Sequence, residues 1–177
     1  QGSDAWREIR RGWPSASRFS DMMAGGDGKT RSKYLRQLAG AQVSGVDKED
    51  FKSAAMERGS IMEPELRSLY AMMTNEKPEP VGFVRRKMKV GYVGASPDSF
   101  VGAKKIIEYK SKEPAGLIEV LQAGRIPSEH LPQCQGGMFV SGRDACDLMI
   151  GYTGMPPFIR TIRRDSSYCA RLEIAIE

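Results

Sequence analysis

The spacing of apolar residues changes halfway along this chain of 177 residues, and this change constrains the fold more than any other feature. Up to about Met73, apolar residues recur every three or four positions, which is typical of helices that bury one face. Beyond that point, short runs rich in β-branched and aromatic residues are typical of strands. The chain has no internal repeat and no long linker. The pattern therefore predicts one α/β (α+β) domain over 1–177 with a helical N-terminal half.

The N-terminal half is predicted to contain three short helices and one long one. We expect the short helices over 4–11, 15–23 and 31–40, with a glycine-rich loop at 25–28. The long helical segment is expected to begin at an N-cap, Asp47, and to continue to about Met73. Pro64 interrupts this segment, so either the helix kinks there or a new helix begins.

The second half is predicted to alternate strands with two helices. The helices are expected over 114–123 and 129–140. The strands are expected over 81–84, 90–93, 105–110, 148–152, 158–162 and 168–176.

Composition limits the classes of protein that the chain can belong to. Lys and Arg number 27 against 22 Asp and Glu, and the net charge of +5 permits an anionic partner without demonstrating one. No apolar run is long enough to span a bilayer and no signal peptide is present, so we expect no membrane association and a cytoplasmic location. The opening Gln-Gly-Ser, without Met, is interpreted as the remnant of an expression tag.

The cysteines and the single histidine argue against a zinc site. Cys134, Cys146 and Cys169 are widely spaced and form no CxxC pair, which predicts reduced thiols. His130 is the sole histidine in the sequence and has no cysteine at finger spacing.

The segment with the clearest chemistry combines an aspartate with a Glu-x-Lys triplet. Asp98 follows Pro97, and Glu108 and Lys110 follow ten residues later on a predicted strand whose alternation places them on one face with Ile106. If the strands are neighbours, the two carboxylates converge and suit Mg²⁺, while Lys110 can orient or deprotonate water or stabilise charge on phosphate. The alternative is a surface ion pair beside an aspartate that caps a turn.

Five blocks in order give the chain a resemblance to the phage λ exonuclease and YqaJ-type viral recombinases, within the PD-(D/E)xK nuclease superfamily. The resemblance covers roughly residues 6 to 140. Its blocks are Trp6-x3-Arg10-x-Gly12-x2-Ser15-Ala16-Ser17, Ser32-Lys33-Tyr34-Leu35, Arg58-Gly59-x3-Glu63-Pro64-x5-Tyr70, Ser96-Pro97-Asp98 with Glu108-x-Lys110, and His130-x2-Gln133-x-Gln135-x2-Met138-x-Val140.

The resemblance implies a fold and an activity. The fold would be a restriction-endonuclease-like core, with a central mixed β-sheet flanked by helices. The activity would be Mg²⁺-dependent 5′→3′ exonuclease digestion of one strand of linear double-stranded DNA, which leaves 3′ single-stranded tails for recombination by strand annealing. Mn²⁺ is expected to substitute, with one or two ions per site. The implied partners are a single-strand annealing protein and two further copies in a homotrimer, in a bacterial cytoplasm and from a phage or prophage.

The resemblance also implies roles for particular residues. Asp98 and Glu108 would be metal ligands, with the backbone carbonyl of Tyr109 as a further one and Glu63 reaching a metal directly or through water. Lys110 would be the catalytic lysine and Gln133 would lie close to the scissile phosphate. The residues implied in binding the 5′ phosphate or DNA are Arg10, Ser17, Gln135 and Trp6, of which Trp6 fits either a core position or a wedge at the DNA end.

Two other functions stay open on the sequence. One is a structure-specific or end-recognising endonuclease with the same core, and the other is a non-catalytic module that binds DNA ends. Three basic clusters, at 85–89, 29–33 and 160–164, suit contacts with a DNA backbone. The sequence ends at Glu177 where relatives continue with helical sequence, so we expect either a truncated or an unusually short member, which makes the trimer a weaker expectation.

Overall fold

A computed structural model of the chain describes residues 2–25, 28–46 and 54–177 and confirms a mixed α/β fold. Its helices are α1 (Asp4–Arg10), α2 (Phe19–Met22, after a 3₁₀ turn at Ala16–Arg18), α3 (Lys29–Ser44), α4 (Ala54–Thr74), α5 (Pro114–Ala123), α6 (Leu131–Ser141, after a 3₁₀ turn at Ser128–His130) and α7 (Ser166–Ile176). Its strands are β1 (Glu79–Pro80), β2 (Val84–Lys87), β3 (Tyr92–Ala95), β4 (Ser99–Val101), β5 (Lys105–Ser111), β6 (Ala145–Gly151) and β7 (Phe158–Arg163).

Five strands form the central sheet in the order β1-β4-β5-β6-β7. Only the β5–β6 pair in this sheet is parallel, and α5 and α6 form the crossover between these two strands. Strands β2 and β3 make a separate antiparallel hairpin. The centre of the sheet is thus β5, the strand that carries Glu108 and Lys110.

Helices cover both faces of the sheet because β5 and β6 alternate apolar side chains between them. On one face, α4 packs with Met62, Leu66 and Tyr70 against Ile107 and Tyr109 of β5. The opposite face packs against α5 and α6, through the side chains of Ile106, Leu117, Val120, Cys134, Met138, Cys146, Leu148, Ile150, Phe158 and Ile162. Burial on two faces covers the middle of β5, and its two ends are partly exposed.

Helix α6 packs very closely against the central sheet and against the start of α2. A Cβ atom at Gly136 would lie 2.6 Å from Cδ2 of Phe19, and one at Gly137 would lie 2.7 Å from Cδ1 of Ile106. Any larger residue would push the helix away from both neighbours. The glycine pair therefore fixes the distance between the N-terminal helices and the central sheet.

The strand predicted over 168–176 is wrong, because this segment is the helix α7. The alternation of Leu172, Ile174 and Ile176 resembles a strand, but Ile174 is 76% exposed. The buried positions, Cys169 and Leu172, have helical spacing. Asp165 begins the helix, since its carboxylate accepts hydrogen bonds from the N–H groups of residues 167 and 168.

Several predicted boundaries also differ from the structure. Residues 81–83 lie between strands rather than in one, and the strand predicted at 90–93 begins only at Tyr92, after a turn in which Gly91 has φ of 80°. Strand β4 was not predicted, α3 extends beyond 31–40, and α4 runs through Pro64 as a single helix. The N-cap predicted at Asp47 and part of the glycine-rich loop lie outside the described residues.

The N-terminal segment interpreted as a tag remnant contributes to the fold. The side-chain oxygen of Ser3 accepts a hydrogen bond from the backbone N–H of Trp6 and caps α1. In the described part of the chain, none of the helices combines the length and apolarity that a bilayer crossing requires.

Candidate active site

Asp98 is held in place through its backbone and its side chain. It lies in the turn between β3 and β4, where its N–H donates to the carbonyl of Ile107 (3.1 Å). Its Oδ2 accepts a hydrogen bond of 2.7 Å from the N–H of Tyr109. Its carbonyl oxygen lies 3.5 Å from an Nη of Arg67. The carboxylate therefore has a fixed direction against β5.

Glu108, Lys110 and Gln133 form a connected triangle at the C-terminal half of β5. The Nε2 of Gln133, on α6, donates to Oε2 of Glu108 at 2.6 Å. The Nζ of Lys110 lies 3.0 Å from Oε1 of Gln133 and 3.4 Å from Oε2 of Glu108. The structure thus places Glu108 and Lys110 on the same side of β5, as the predicted alternation requires.

Burial and like charge raise the pKa values of both carboxyl groups. Glu108 is only 2% exposed, and desolvation together with the charge of Asp98 raises its pKa. Desolvation also raises the pKa of Asp98, against the opposing effects of Lys110 and the Tyr109 N–H. Burial alone would lower the pKa of Lys110, but the negative charges of Glu108 and Asp98 have the larger effect and raise this pKa. The site therefore keeps its lysine charged beside two acids that repel each other.

Glu63 approaches the same site from α4. Its carboxylate forms an ion pair with Arg67, one helical turn later, and both side chains are about three-quarters buried. Its negative charge raises the pKa values of Asp98 and Glu108. A third acid thus reaches the site from α4, which packs on the face of the sheet opposite to α5 and α6.

These residues line a cleft of about 300 Å³. Arg10 and Ser17 line the same cleft, and the guanidinium of Arg10 stacks on the ring of Trp6 at 4.2 Å from the ring centroid. The Nε1 of Trp6 donates to Oγ of Ser96 at 2.9 Å. The complete lining is Trp6, Arg10, Ser15, Ala16, Ser17, Gly59, Ser60, Glu63, Phe83, Ser96, Asp98, Glu108, Tyr109, Lys110 and Gln133.

The structure does not bring Gln135 to this cleft. The side chain is buried, its Nε2 donates to the carbonyl of Arg163 at 2.9 Å, and its Oε1 accepts from the N–H of Asp165 at 2.9 Å. This amide joins α6 to the segment before α7. The contact assigns Gln135 to the support of the fold rather than to DNA or phosphate.

The structure adds residues to which the sequence assigned no role: some line the cleft, and one, Arg67, contacts its acids from outside the lining. Arg67 donates through Nε to Oγ of Ser99 at 3.1 Å and also contacts Glu63. The available signal was its position four residues after Glu63 on a predicted helix. Ser96 and Phe83 also line the cleft, but only Ser96, two residues before Asp98, lay within a recognised block.

The comparisons with known proteins agree with this geometry. The model of the YqaJ-like viral recombinase domain matches residues 5–144. The chain belongs to this family. An alkaline exonuclease from Laribacter hongkongensis has the same fold, with 30% sequence identity and a TM-score of 0.87 over 98% of this chain and 89% of that one. The same exonuclease in complex with dAMP aligns equally well.

More distant structures share the fold alone. A phage-related exonuclease from Haemophilus somnus 129PT has 13% identity and a TM-score of 0.69, over 93% of this chain and 90% of that one. Among curated proteins, none matches the chain. The family resemblance and the fold class that the sequence predicts are confirmed.

The acids of this YqaJ-like site fit a magnesium ion that keeps part of its water shell. Within 2–25, 28–46 and 54–177, no three His, Cys, Asp or Glu side chains form a ready metal cage. Glu63 turns toward Arg67, which leaves Asp98 and Glu108 as the closest candidates. Two neighbouring carboxylates whose pKa values are both raised, chiefly by desolvation, suit Mg²⁺, which is commonly held by one or two carboxylates and several waters.

The basic clusters are only partly free for an anionic partner. Arg86 donates to the carbonyl of Phe139 at 2.7 Å, and Arg31 donates to the carbonyl of Ala175 at 2.8 Å. Arg164 contacts the thiol of Cys169 at 3.5 Å. Lys89 also pairs with Glu177 at 2.6 Å, and Arg160 donates to the carbonyl of Ile159 at 2.9 Å. Each cluster therefore has at least one basic residue that makes internal contacts.

Proposed function

We propose that this chain is a Mg²⁺-dependent 5′→3′ exonuclease that digests one strand of linear double-stranded DNA and leaves 3′ single-stranded tails for strand annealing. The observation that carries the proposal is that Asp98, Glu108, Lys110 and Arg10 line the same cleft. The family and the structural relative named as an exonuclease support a nuclease over other uses of the site. The order of acids and lysine suits phosphodiester hydrolysis.

The residues of the cleft divide the chemistry between them. Asp98 and Glu108 would hold Mg²⁺, with the Tyr109 carbonyl and Glu63 as further donors; Mn²⁺ would substitute, and one or two ions would bind. When bound, the metal supplies Lewis acidity and lowers the pKa of coordinated water. The ammonium of Lys110 orients the attacking water and stabilises the negative charge that develops on the phosphate.

Two further residues of the cleft, Arg10 and Ser17, would bind the DNA end. The guanidinium of Arg10 can form charge-assisted hydrogen bonds with a terminal 5′ phosphate, and the exposed Ser17 can add a hydroxyl donor. Trp6 holds Arg10 by stacking on it, so its ring is a platform for Arg10 rather than a wedge that separates bases. Terminal recognition favours an exonuclease over an endonuclease.

Family membership supports the remaining parts of the proposal. A single-strand annealing protein would receive the 3′ tail, and three copies would assemble into a ring. The proposed setting is the cytoplasm of a bacterium that carries the phage or prophage. Lysines and arginines of the basic clusters would contact the DNA backbone without reading its sequence.

Linear and circular substrates test the activity directly. We expect linear duplex DNA with a 5′ phosphate to release mononucleotides in Mg²⁺ and to stay intact in EDTA, because the buried acids repel phosphate without a cation. The products are followed by gel electrophoresis with a label on either end. Cleavage of a covalently closed circle at the same rate as linear DNA would instead identify an endonuclease, and no hydrolysis of either substrate would refute the proposal.

Arg10→Met is expected to remove the preference for a 5′ phosphate. Loss of a charge-assisted hydrogen bond corresponds to roughly a tenfold or greater fall in kcat/KM on phosphorylated ends, with little change on 5′-hydroxyl ends. The measurement compares initial rates on both substrates. Arg7→Met is the control, because Arg7 lies on the same helix and pairs with Asp4 at the surface (2.7 Å). Equal losses on both kinds of end would exclude a phosphate pocket at Arg10.

A further inference from the structure

Arg67 connects the helix that supplies one acid of the cleft with the turn that supplies another. Its guanidinium pairs with the carboxylate of Glu63 on its own helix. Across the helix–sheet interface, its Nε donates to Oγ of Ser99 at 3.1 Å and an Nη lies 3.5 Å from the carbonyl oxygen of Asp98. One rigid side chain thus contacts both sides of the interface.

The geometry uses the planar shape of arginine. Nε faces Ser99, while an Nη faces Glu63 and Asp98, so the directions of the donors are fixed relative to one another. Ser99 is fully buried, and it begins the strand next to Asp98. A lysine could keep the charge at this position, but its single nitrogen could not reproduce this set of contacts.

Stability alone does not account for this arrangement. Ion pairs between partly exposed side chains contribute little to stability, and the side chains of Arg67 and Glu63 keep 22% and 28% of their exposure. Glu63 and Asp98, the two acidic residues that Arg67 contacts, both line the cleft. The position of Arg67 therefore couples it to the acids of the site more than to the core.

We propose that Arg67 is a positioning residue: anchored by Ser99 and the carbonyl of Asp98, it holds the carboxylate of Glu63 beside the acids of the cleft. The inference rests on the proposed function, because it concerns the acids that would hold the metal. Arg67 contacts no reacting atom and acts through Glu63. Partners that orient metal-site acids typically change metal affinity or activity by about 10- to 100-fold when removed.

A double-mutant cycle between Arg67→Met and Glu63→Ala tests this inference. We expect Arg67→Met to lower kcat by about 10- to 100-fold with KM for DNA nearly unchanged. In the Glu63→Ala background, the same substitution should lower kcat less than twofold, because the residue through which Arg67 acts is gone. Arg67→Lys should resemble Arg67→Met. Equal losses in both backgrounds, or full rescue by lysine, would overturn the proposal.

Binding of Mn²⁺ without DNA gives a readout that is independent of turnover. Calorimetry should show roughly tenfold weaker binding in Arg67→Met and in Glu63→Ala, with no further weakening in the double variant. Tighter binding in Arg67→Met would mean that Arg67 competes with the metal for Glu63, and this would overturn the proposal.

The matched control is Arg143→Met. Arg143 donates to the carbonyls of Gly102 and Lys105 at 2.9 and 3.2 Å, and neither of these partners lines the cleft, whereas Arg67 contacts Glu63 and Asp98, which do. Its removal should leave kcat and Mn²⁺ affinity unchanged. Asp98→Asn separates the two proposals: full activity in this variant would refute the nuclease site, whereas an inactive Asp98→Asn beside a fully active Arg67→Met would refute only the role of Arg67.

Discussion

Replacement of Lys110 by Met is expected to lower kcat by roughly 10²- to 10⁴-fold while DNA binding persists. The ammonium group lies 3.0 Å from Oε1 of Gln133 and 3.4 Å from Oε2 of Glu108, beside the acids of the cleft. Methionine keeps most of the aliphatic stem but removes the charge that would orient water and stabilise the phosphate. Single-turnover cleavage of linear duplex DNA measures the loss, and fluorescence anisotropy measures binding.

Lys112→Met is the control for charge and position. Lys112 follows β5 by one residue and makes only a long ion pair of 3.9 Å with Glu129. We expect this variant to retain kcat within about twofold, as is usual for surface substitutions away from a site. If Lys110→Met retained more than a tenth of the wild-type kcat, Lys110 would have no catalytic role. If Asp98→Ala also left hydrolysis unchanged, the acids of the cleft would be structural.

The arrangement along β5 was predictable because it depends on local alternation. Residues two apart on a strand face the same way, so Glu108 and Lys110 had to share a side wherever the strand lay. The convergence of Asp98 with them required only that β4 and β5 be neighbours, and the antiparallel register places Ser99 opposite Ile107. This part of the site was therefore predictable because its residues are close together in the sequence.

The parts that the sequence did not predict depend on contacts between distant segments. Arg67 reaches Ser99, 32 positions away, and Trp6 reaches Ser96, 90 positions away, and neither contact has a local pattern. The error at α7 has a different cause. Its apolar residues alternate as they do in a strand. The cap at Asp165 and the burial of Leu172 in the core nevertheless stabilise a helix. Gln135 matched a motif, yet its amide is used inside the fold.

A second anchor fixes α4 farther along the same helix. The hydroxyl of Tyr70 donates to Oδ2 of Asp147 on β6 at 2.6 Å and also contacts Glu76. Asp147 further accepts from Oγ1 of Thr161 at 2.5 Å and pairs with Nζ of Lys105 at 2.9 Å. This network joins the helix that carries Glu63 to β5 and β6 through residues that do not line the cleft.

Asp147→Ala is therefore expected to destabilise the protein by about 3–5 kcal/mol, the usual cost of removing one partner of a buried ion pair. The side chain is 5% exposed, and the loss leaves Thr161 without this partner and removes one acid from Lys105, which keeps Glu76 and the Tyr70 hydroxyl. Urea unfolding at pH 7 measures the change in the free energy of unfolding. Because α4 carries Glu63, we also expect a fall in the temperature at which activity is lost.

The difference in the free energy of unfolding between wild type and Asp147→Ala should also depend on pH, which provides a second check. Desolvation raises the pKa of Asp147, but hydrogen bonds from Thr161, Tyr70 and Lys105 outweigh it and hold this pKa below its ordinary value of 3.8. The stabilisation is therefore complete above pH 3.8 and is lost as the pH falls through the lower, folded-state pKa, so the gap between wild type and variant should narrow in acid. The exposed Asp144→Ala should change stability by less than about 0.5 kcal/mol. A similar small change in Asp147→Ala would show that the network does not anchor α4.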